Sequence, residues 1–222
     1  MFRDAALIAG KDLRIEARSR VATNQIAPFA LLVLILFAFA LDPDRGILTR
    51  ATAGLFWVTV LFCTLLAVQR AFSIESADGN RDALRLTALD PAGIFLGKAA
   101  AIALELLGLE VLLLLGVVVL YDASLDSAGL LILTALAATA GLASAGTLYG
   151  VLAAGLRVRE TLLPLLLLPV VAPVLIGSTR AFEAALSGSP SDGWPWVGLL
   201  SVFALVYLAL GLVAFGPLLE ES

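Results

Sequence analysis

Six apolar stretches, at 26–41, 51–68, 95–120, 128–156, 162–176 and 196–215, succeed one another along the chain with polar breaks between them. None shows the two-residue alternation of a half-buried strand, and each is longer than one strand of a lipid-facing barrel. A hydrocarbon core about 30 Å thick needs roughly 20 helical residues at 1.5 Å each, and the six stretches come close to that. A helix satisfies its own backbone hydrogen bonds inside lipid. The pattern therefore predicts an all-α polytopic membrane protein, with six transmembrane helices over 25–222 and a separate unit at 1–24.

That first unit has its own periodicity. Phe2, Ala6, Ala9, Leu13 and Ala17 recur at helical spacing, and Lys11, Arg14 and Arg18 form a second stripe. An amphipathic helix over 2–21, lying in the headgroup plane with its cations near anionic lipid, is one reading. A basic anchor that only fixes topology is the other. No apolar core of signal length precedes residue 26, and no small-residue cleavage site is visible, so a removable signal is not expected. Arg3, Lys11, Arg14, Arg18, Arg20, Arg70, Arg81, Arg85, Lys98, Arg157 and Arg159 fall on one side of the predicted bundle. Only Arg45, Arg50 and Arg180 fall on the other. The positive-inside rule then places both termini in the cytoplasm.

Composition narrows the chemistry. Of 222 residues, 61% are hydrophobic and 14% charged, with a mean hydropathy of +1.03. So few charges cannot cover a soluble surface of this size. The absence of histidine removes His-bound metal or haem and histidine acid–base catalysis from this chain. One cysteine leaves no disulfide within one copy. No nucleophile–base pair, metal-ligand set or nucleic-acid footprint is visible, so no catalytic residue, no metal and no nucleic-acid partner is expected.

The longest polar stretch, 69–90, lies between the second and third spans. Ala77-Asp78-Gly79-Asn80 is a turn signal, after which Asp78 or Asn80 caps a short helix to about Leu86, and Pro91 suits the first turn of the next element. This segment is either a docking surface for a soluble partner or an ordinary interfacial connector. Gly93 to Ala99 superficially resembles a phosphate loop. It has three residues rather than four between its glycines, and Ala rather than Ser or Thr after Lys98, so no ATP site is expected. Gly93 and Gly97 instead permit close helix approach, and Lys98 marks the membrane boundary.

Two carboxyl groups, Glu105 and Glu110, interrupt the third span, where an ion is costly. They stand about 140° apart on a helix, whereas Glu105 shares a face with Lys98. Glu110 is the deeper and is read as facing protein, protonated or hydrogen-bonded; the alternative is a carboxyl that merely joins helices. In the fourth span Gly141, Ala145, Gly146 and Gly150 suit close packing, either within the chain or across a homodimer seam. The fifth span holds Pro164, Pro169 and Pro173, which predict a kinked or broken helix. The segment 177–187 after it reads as a re-entrant or interfacial piece. Broken helices line some transport paths, and harmless kinks are the other reading. Trp194, Pro195 and Trp196 form an interfacial anchor.

These pieces resemble the CcmB family, the haem exporter B membrane subunits of the cytochrome c maturation ABC transporter. The likeness lies in Lys11-Asp12-Leu13-Arg14-Ile15-Glu16-Ala17-Arg18-Ser19-Arg20, and in Ala71-Phe72-Ser73-Ile74-Glu75 onward to Pro91 and Gly97-Lys98. It continues in Gly146-Thr147-Leu148-Tyr149 with Arg157-Val158-Arg159-Glu160, and in the proline-rich run from Thr161 to Gly177. Asn80, Arg81, Asp82 and Ser73-Ile74 depart from the family pattern. The resemblance implies an ABC-2-type (type-2 exporter-like) permease in the bacterial inner membrane, with an N-terminal elbow helix and a coupling helix between spans two and three. It implies that Glu75, Asp78, Arg81, Asp82 and Arg85 meet a CcmA-like ATPase, the source of ATP-driven motion. It also implies a homodimer working with CcmC-like and CcmD-like membrane proteins and a CcmE-like haem chaperone. Haem would then be held through partner subunits, and this chain would bind no cofactor alone. A permease for another substrate, lipid or drug, and a non-transporting scaffold are the competing readings.

Overall fold

The computed structural model describes residues 1–41, 46–75, 89–123, 125, 127–154 and 159–221. Among them the chain forms helices and no strand. Helix α1 is Phe2–Ser19, and a π-helical turn at Ala22–Ile26 leads straight into α2, Ala27–Ala40. Then come α3 (Ile47–Glu75), α4 (Pro91–Tyr121), α5 (Ala128–Ala154) and α6 (Arg159–Leu186). A 3-10 turn at Pro190–Asp192 precedes α7 (Trp194–Glu221).

Among the described residues, six stretches are long and apolar enough to cross a membrane: Ala22–Ala40, Ile47–Ser73, Pro91–Tyr121, Ala128–Ala153, Thr161–Leu186 and Pro190–Leu219. The chain is thus an all-α polytopic membrane protein with the six predicted spans. Several helices run past the apolar limits read from sequence. At 31 residues, α4 is about 46 Å long, well beyond a hydrocarbon core of about 30 Å. The stretch Ala22–Ala40 has 19 residues and matches that core.

The core lies around α3 and α5. Helix α5 packs against α3, α4, α6 and α7, while α2 leans on α3 and α4. Small residues on α5 make this possible, and their partners lie within the chain rather than across a dimer seam. A Cβ on Gly146 would stand 2.6 Å from Val68 Cγ2, and one on Gly141 would stand 2.9 Å from Phe203 Cδ1. Gly150 receives the Phe72 ring, and Gly211 of α7 receives the Phe95 ring of α4. Phe56 of α3 stacks on Phe182 of α6, with ring centroids 4.6 Å apart. Buried hydroxyls bond back into their own helices, as Thr64 does to the Val60 carbonyl at 2.8 Å and Thr147 to the Ala143 carbonyl at 2.7 Å.

The fifth span corrects the expectation of a broken helix. Helix α6 is continuous through Pro164, Pro169 and Pro173 and on to Leu186, so all but the last residue of 177–187 continues that helix rather than forming a separate re-entrant piece. Each proline removes one donor from the ladder, but its fixed φ is helical. Packed neighbours in a membrane bundle tolerate the freed carbonyls. The helix ends instead at Gly188, whose φ of +72° is left-handed, with the Ser189 N–H donating to the Ala184 carbonyl at 3.1 Å. Gly216, near the end of α7, lies against Pro91. The end of the last helix therefore meets the start of α4.

Candidate functional site

The structure gathers its charged side chains where α1 meets α3 and α4. Contacts advance together along α1 and α4: Asp4 lies on Gly93, Ala5 and Ile8 on Gly97, and Asp12 on Lys98. The two helices therefore run side by side in the same direction, and α1 does not lie flat across the bundle's end. The glycines are required: a Cβ on Gly93 would be 2.8 Å from the Met1 carbonyl oxygen, and one on Gly97 would be 2.6 Å from that of Ala5. Close approach at Gly93 and Gly97, read from sequence, is thus realised with α1 as the partner.

The face that α1 turns to the bundle is not its apolar stripe. Phe2 and Leu7 stand exposed, and Ile8 is buried. Around Ile8 the inward face carries Asp4, Asp12 and Glu16. Asp12 Oδ2 is 3.4 Å from Lys98 Nζ, and its Oδ1 is 3.0 Å from Lys11 Nζ. Lys98 is only 1% exposed, with its ammonium 5.0 Å from the centre of the Phe72 ring. It is a buried cation. Glu16 joins three elements. Its carboxylate accepts from Arg70 Nε of α3 at 2.9 Å and from the Ala22 N–H at 2.5 Å, while Arg70 Nη2 donates to Ser19 Oγ at 2.6 Å. Arg20, at a left-handed φ of +55°, turns the chain from α1 toward α2.

The start of α4 is held in the same way. Asp90 caps it, accepting from the Ala92 N–H at 3.0 Å, with Pro91 in the first turn as expected. The Asp90 N–H donates to Asp4 Oδ2 at 3.3 Å. That bond, with the nearby terminal ammonium of Met1, holds the Asp4 carboxyl below its ordinary value of 3.8.

The two carboxyls of α4 part company as their 140° separation requires. Glu110 is buried and faces α5, where Thr139 Oγ1 donates to its Oε1 at 2.5 Å; its Oε2 has no partner among the described residues. Glu105 faces the α1 side and lines a small cavity with Asp12, Glu16, Arg70 and Ala101. Among the described residues no group of three His, Cys, Asp or Glu is placed to hold a metal ion. Pro164 lines an open groove of about 780 Å³ with Phe29, Phe62, Leu66 and Arg70, whereas Pro169 and Pro173 point outward. Of the residues expected at the ATPase, Glu75 is the last residue of α3. Asp78, Arg81, Asp82 and Arg85 lie outside the described residues. The partners Asp12, Glu16 and Thr139 were missed from sequence. The spacing of Asp4, Ile8, Asp12 and Glu16 at every fourth position carried the signal.

Comparison with known proteins covers the whole of this architecture. The family model described as CcmB protein matches residues 3–222. The chain is similar to the heme exporter protein B of Haemophilus influenzae, 34% identical over 187 residues that make up 84% of each chain. It is likewise similar to that of Pseudomonas aeruginosa, 30% identical over 216 residues, 95% of this chain and 92% of the other. With that of Escherichia coli the identity is 32% over 198 residues, 82% and 83% of the two chains.

Proposed function

Because the chain belongs to the CcmB family, we propose that it is the permease subunit of an ABC transporter for haem export or delivery in c-type cytochrome biogenesis. The observation that carries this reading is the family match from residue 3 to residue 222, together with relatives named heme exporter protein B over most of their length. Six spans preceded by a packed α1 agree with an ABC-2-type permease in the bacterial inner membrane, both termini cytoplasmic. Haem is the cargo. This chain has no histidine and supplies no histidine axial ligand, so a haem histidine belongs to a CcmC-like or CcmE-like partner, with a CcmD-like protein beside them.

The chain's own part is mechanical. A CcmA-like ATPase subunit docks on the connector after Glu75, where Asp78, Arg81, Asp82 and Arg85 offer charges of both signs. Two permease copies move as the ATPases close on ATP. The framing by α1 supports this. Arg70 near the end of α3 and Lys98 near the start of α4 are both tied to α1, so a push on the connector is shared by three helices. Arg81→Glu combined with Arg85→Glu is expected to abolish co-purification with the ATPase while the protein still inserts at the wild-type level. Retained ATPase binding rejects the docking assignment.

A second reading follows from the absent histidine: a coupler that releases the haem-loaded chaperone without carrying haem itself. Haem uptake into inverted vesicles separates the two. ATP-dependent haem movement supports transport, and chaperone release without it supports the coupler.

A further inference from the structure

On the flank of the bundle, at the turn from α1 to α2, an open groove of about 550 Å³ runs between α1, the start of α2 and α4. Its floor is Leu104, Gly108 and Leu112, one turn apart on α4. A Cβ on Gly108 would meet nothing within 4 Å, so the missing side chain leaves a trough. Arg20, Thr23 and Asn24 stand at the groove's mouth, with exposed Arg14 and Arg18 on the adjoining turns of α1.

Depth identifies the occupant. The span that begins at Ala22 has 19 residues, about 28 Å, which fills a hydrocarbon core of about 30 Å. Arg20 therefore stands at headgroup level, and the floor descends from there along a face of α4 that is open to lipid, with Leu104 55% and Val111 61% exposed. A cation at the interface above an apolar trough has the shape and polarity of one phospholipid. Two carboxylates also line the groove, Glu16 and Glu105. Glu16 is engaged by Arg70 and the Ala22 N–H. Glu105 Oε1 is buried and turned away from the groove's open side. We propose that this groove is a binding site for one anionic phospholipid, phosphatidylglycerol. Its phosphate lies on Arg20, with Arg14 and Arg18 nearby, and one acyl chain crosses Gly108.

The test uses the full chain purified in mild detergent. Native mass spectrometry counts bound lipid on adding phosphatidylglycerol or phosphatidylcholine. Wild-type protein is expected to retain phosphatidylglycerol preferentially. Arg20→Asn, which tolerates the left-handed backbone, should weaken that binding about fivefold, the attraction of one cation near a membrane surface. Gly108→Leu should block the trough and lower retention of both lipids. Arg50→Gln, at the other end of the bundle, should change nothing. Equal retention of the two lipids by wild-type protein overturns the proposal. So does unchanged retention by Arg20→Asn and Gly108→Leu when their melting temperatures match wild type.

Discussion

Two seams in this bundle rest on glycines four residues apart, and they are filled differently. On α5, Gly146 and Gly150 receive the side chains of Val68 and Phe72 from α3. On α4, Gly93 and Gly97 receive the backbone of α1. The first seam is buried and apolar, with its hydroxyls satisfied inside their own helices. The second is bordered by Asp12–Lys98 and Glu16–Arg70. Close packing has no competitor in lipid and is insensitive to salt. Partly exposed ion pairs compete with water and are screened. The α3–α5 seam is thus the fixed part of the molecule, and the α1–α4 seam is where an outside force or ionic condition can act.

The sharpest way to break that contrast is to fill the glycines. Gly150→Val or Gly146→Val drives a side chain into Phe72 or Val68, and overpacking of this kind costs about 1–3 kcal/mol or more. Each is expected to lower the thermal transition of the whole bundle in detergent. Gly97→Val instead pushes α1 away from α4. It should leave that transition nearly in place while exposing the segment before residue 20 to protease. If Gly97→Val melts the bundle as far as Gly150→Val does, the two seams are one cooperative unit and the distinction fails.

Much of the fixed part was readable from sequence, because apolar length and small residues report it directly. The six spans follow from hydrocarbon thickness. The divergence of Glu105 and Glu110 follows from 100° per residue. What the small residues do not encode is their partner, and only the fold shows that Gly150 is matched to Phe72. Helix ends were less legible, since α4 and α7 continue through residues that need no lipid. The unbroken α6 was hidden because proline rules are learned from helices in water, where a freed carbonyl has no packed neighbour to support its turn. In the salt-laced seam the acidic positions of α1 were plain in the sequence. Apolar Phe2, Ala6 and Leu13 drew the reading toward a lipid-facing stripe, while Asp4, Asp12 and Glu16 found partners 54 or more residues away in the Asp90 N–H, Lys98 and Arg70.

The two ion pairs of that seam should themselves differ. Lys98 is 1% exposed and Asp12 19%, so Asp12→Asn removes one charged partner from a buried ammonium, at a cost of about 2–3 kcal/mol. Arg70 and Glu16 are 23% and 17% exposed, and Glu16→Gln still accepts from the Ala22 N–H. Its cost should be about 1 kcal/mol and should vanish in high salt. Chemical denaturation of the two variants at low and high ionic strength checks this. Equal, salt-independent losses would make the seam as rigid as the α3–α5 packing.

The smallest effect is expected at the first turn of α1, and its sign follows from Asp4. That carboxyl is held below its ordinary value of 3.8, first by the Asp90 N–H and then by the terminal ammonium. A depressed carboxyl stabilises the folded form above its unfolded pKa, and this contribution disappears as pH falls through the folded value. Docking of the first turn on Asp90 should therefore be constant from neutral pH down to about 4 and weaken only below it. Asp4→Asn should remove this acid dependence while keeping an oxygen that accepts from the Asp90 N–H. Hydrogen exchange of residues 2–8 between pH 6 and pH 3, corrected for intrinsic rates, measures it. Loosening that begins near neutral pH, or that persists in Asp4→Asn, would assign the acid response to another group.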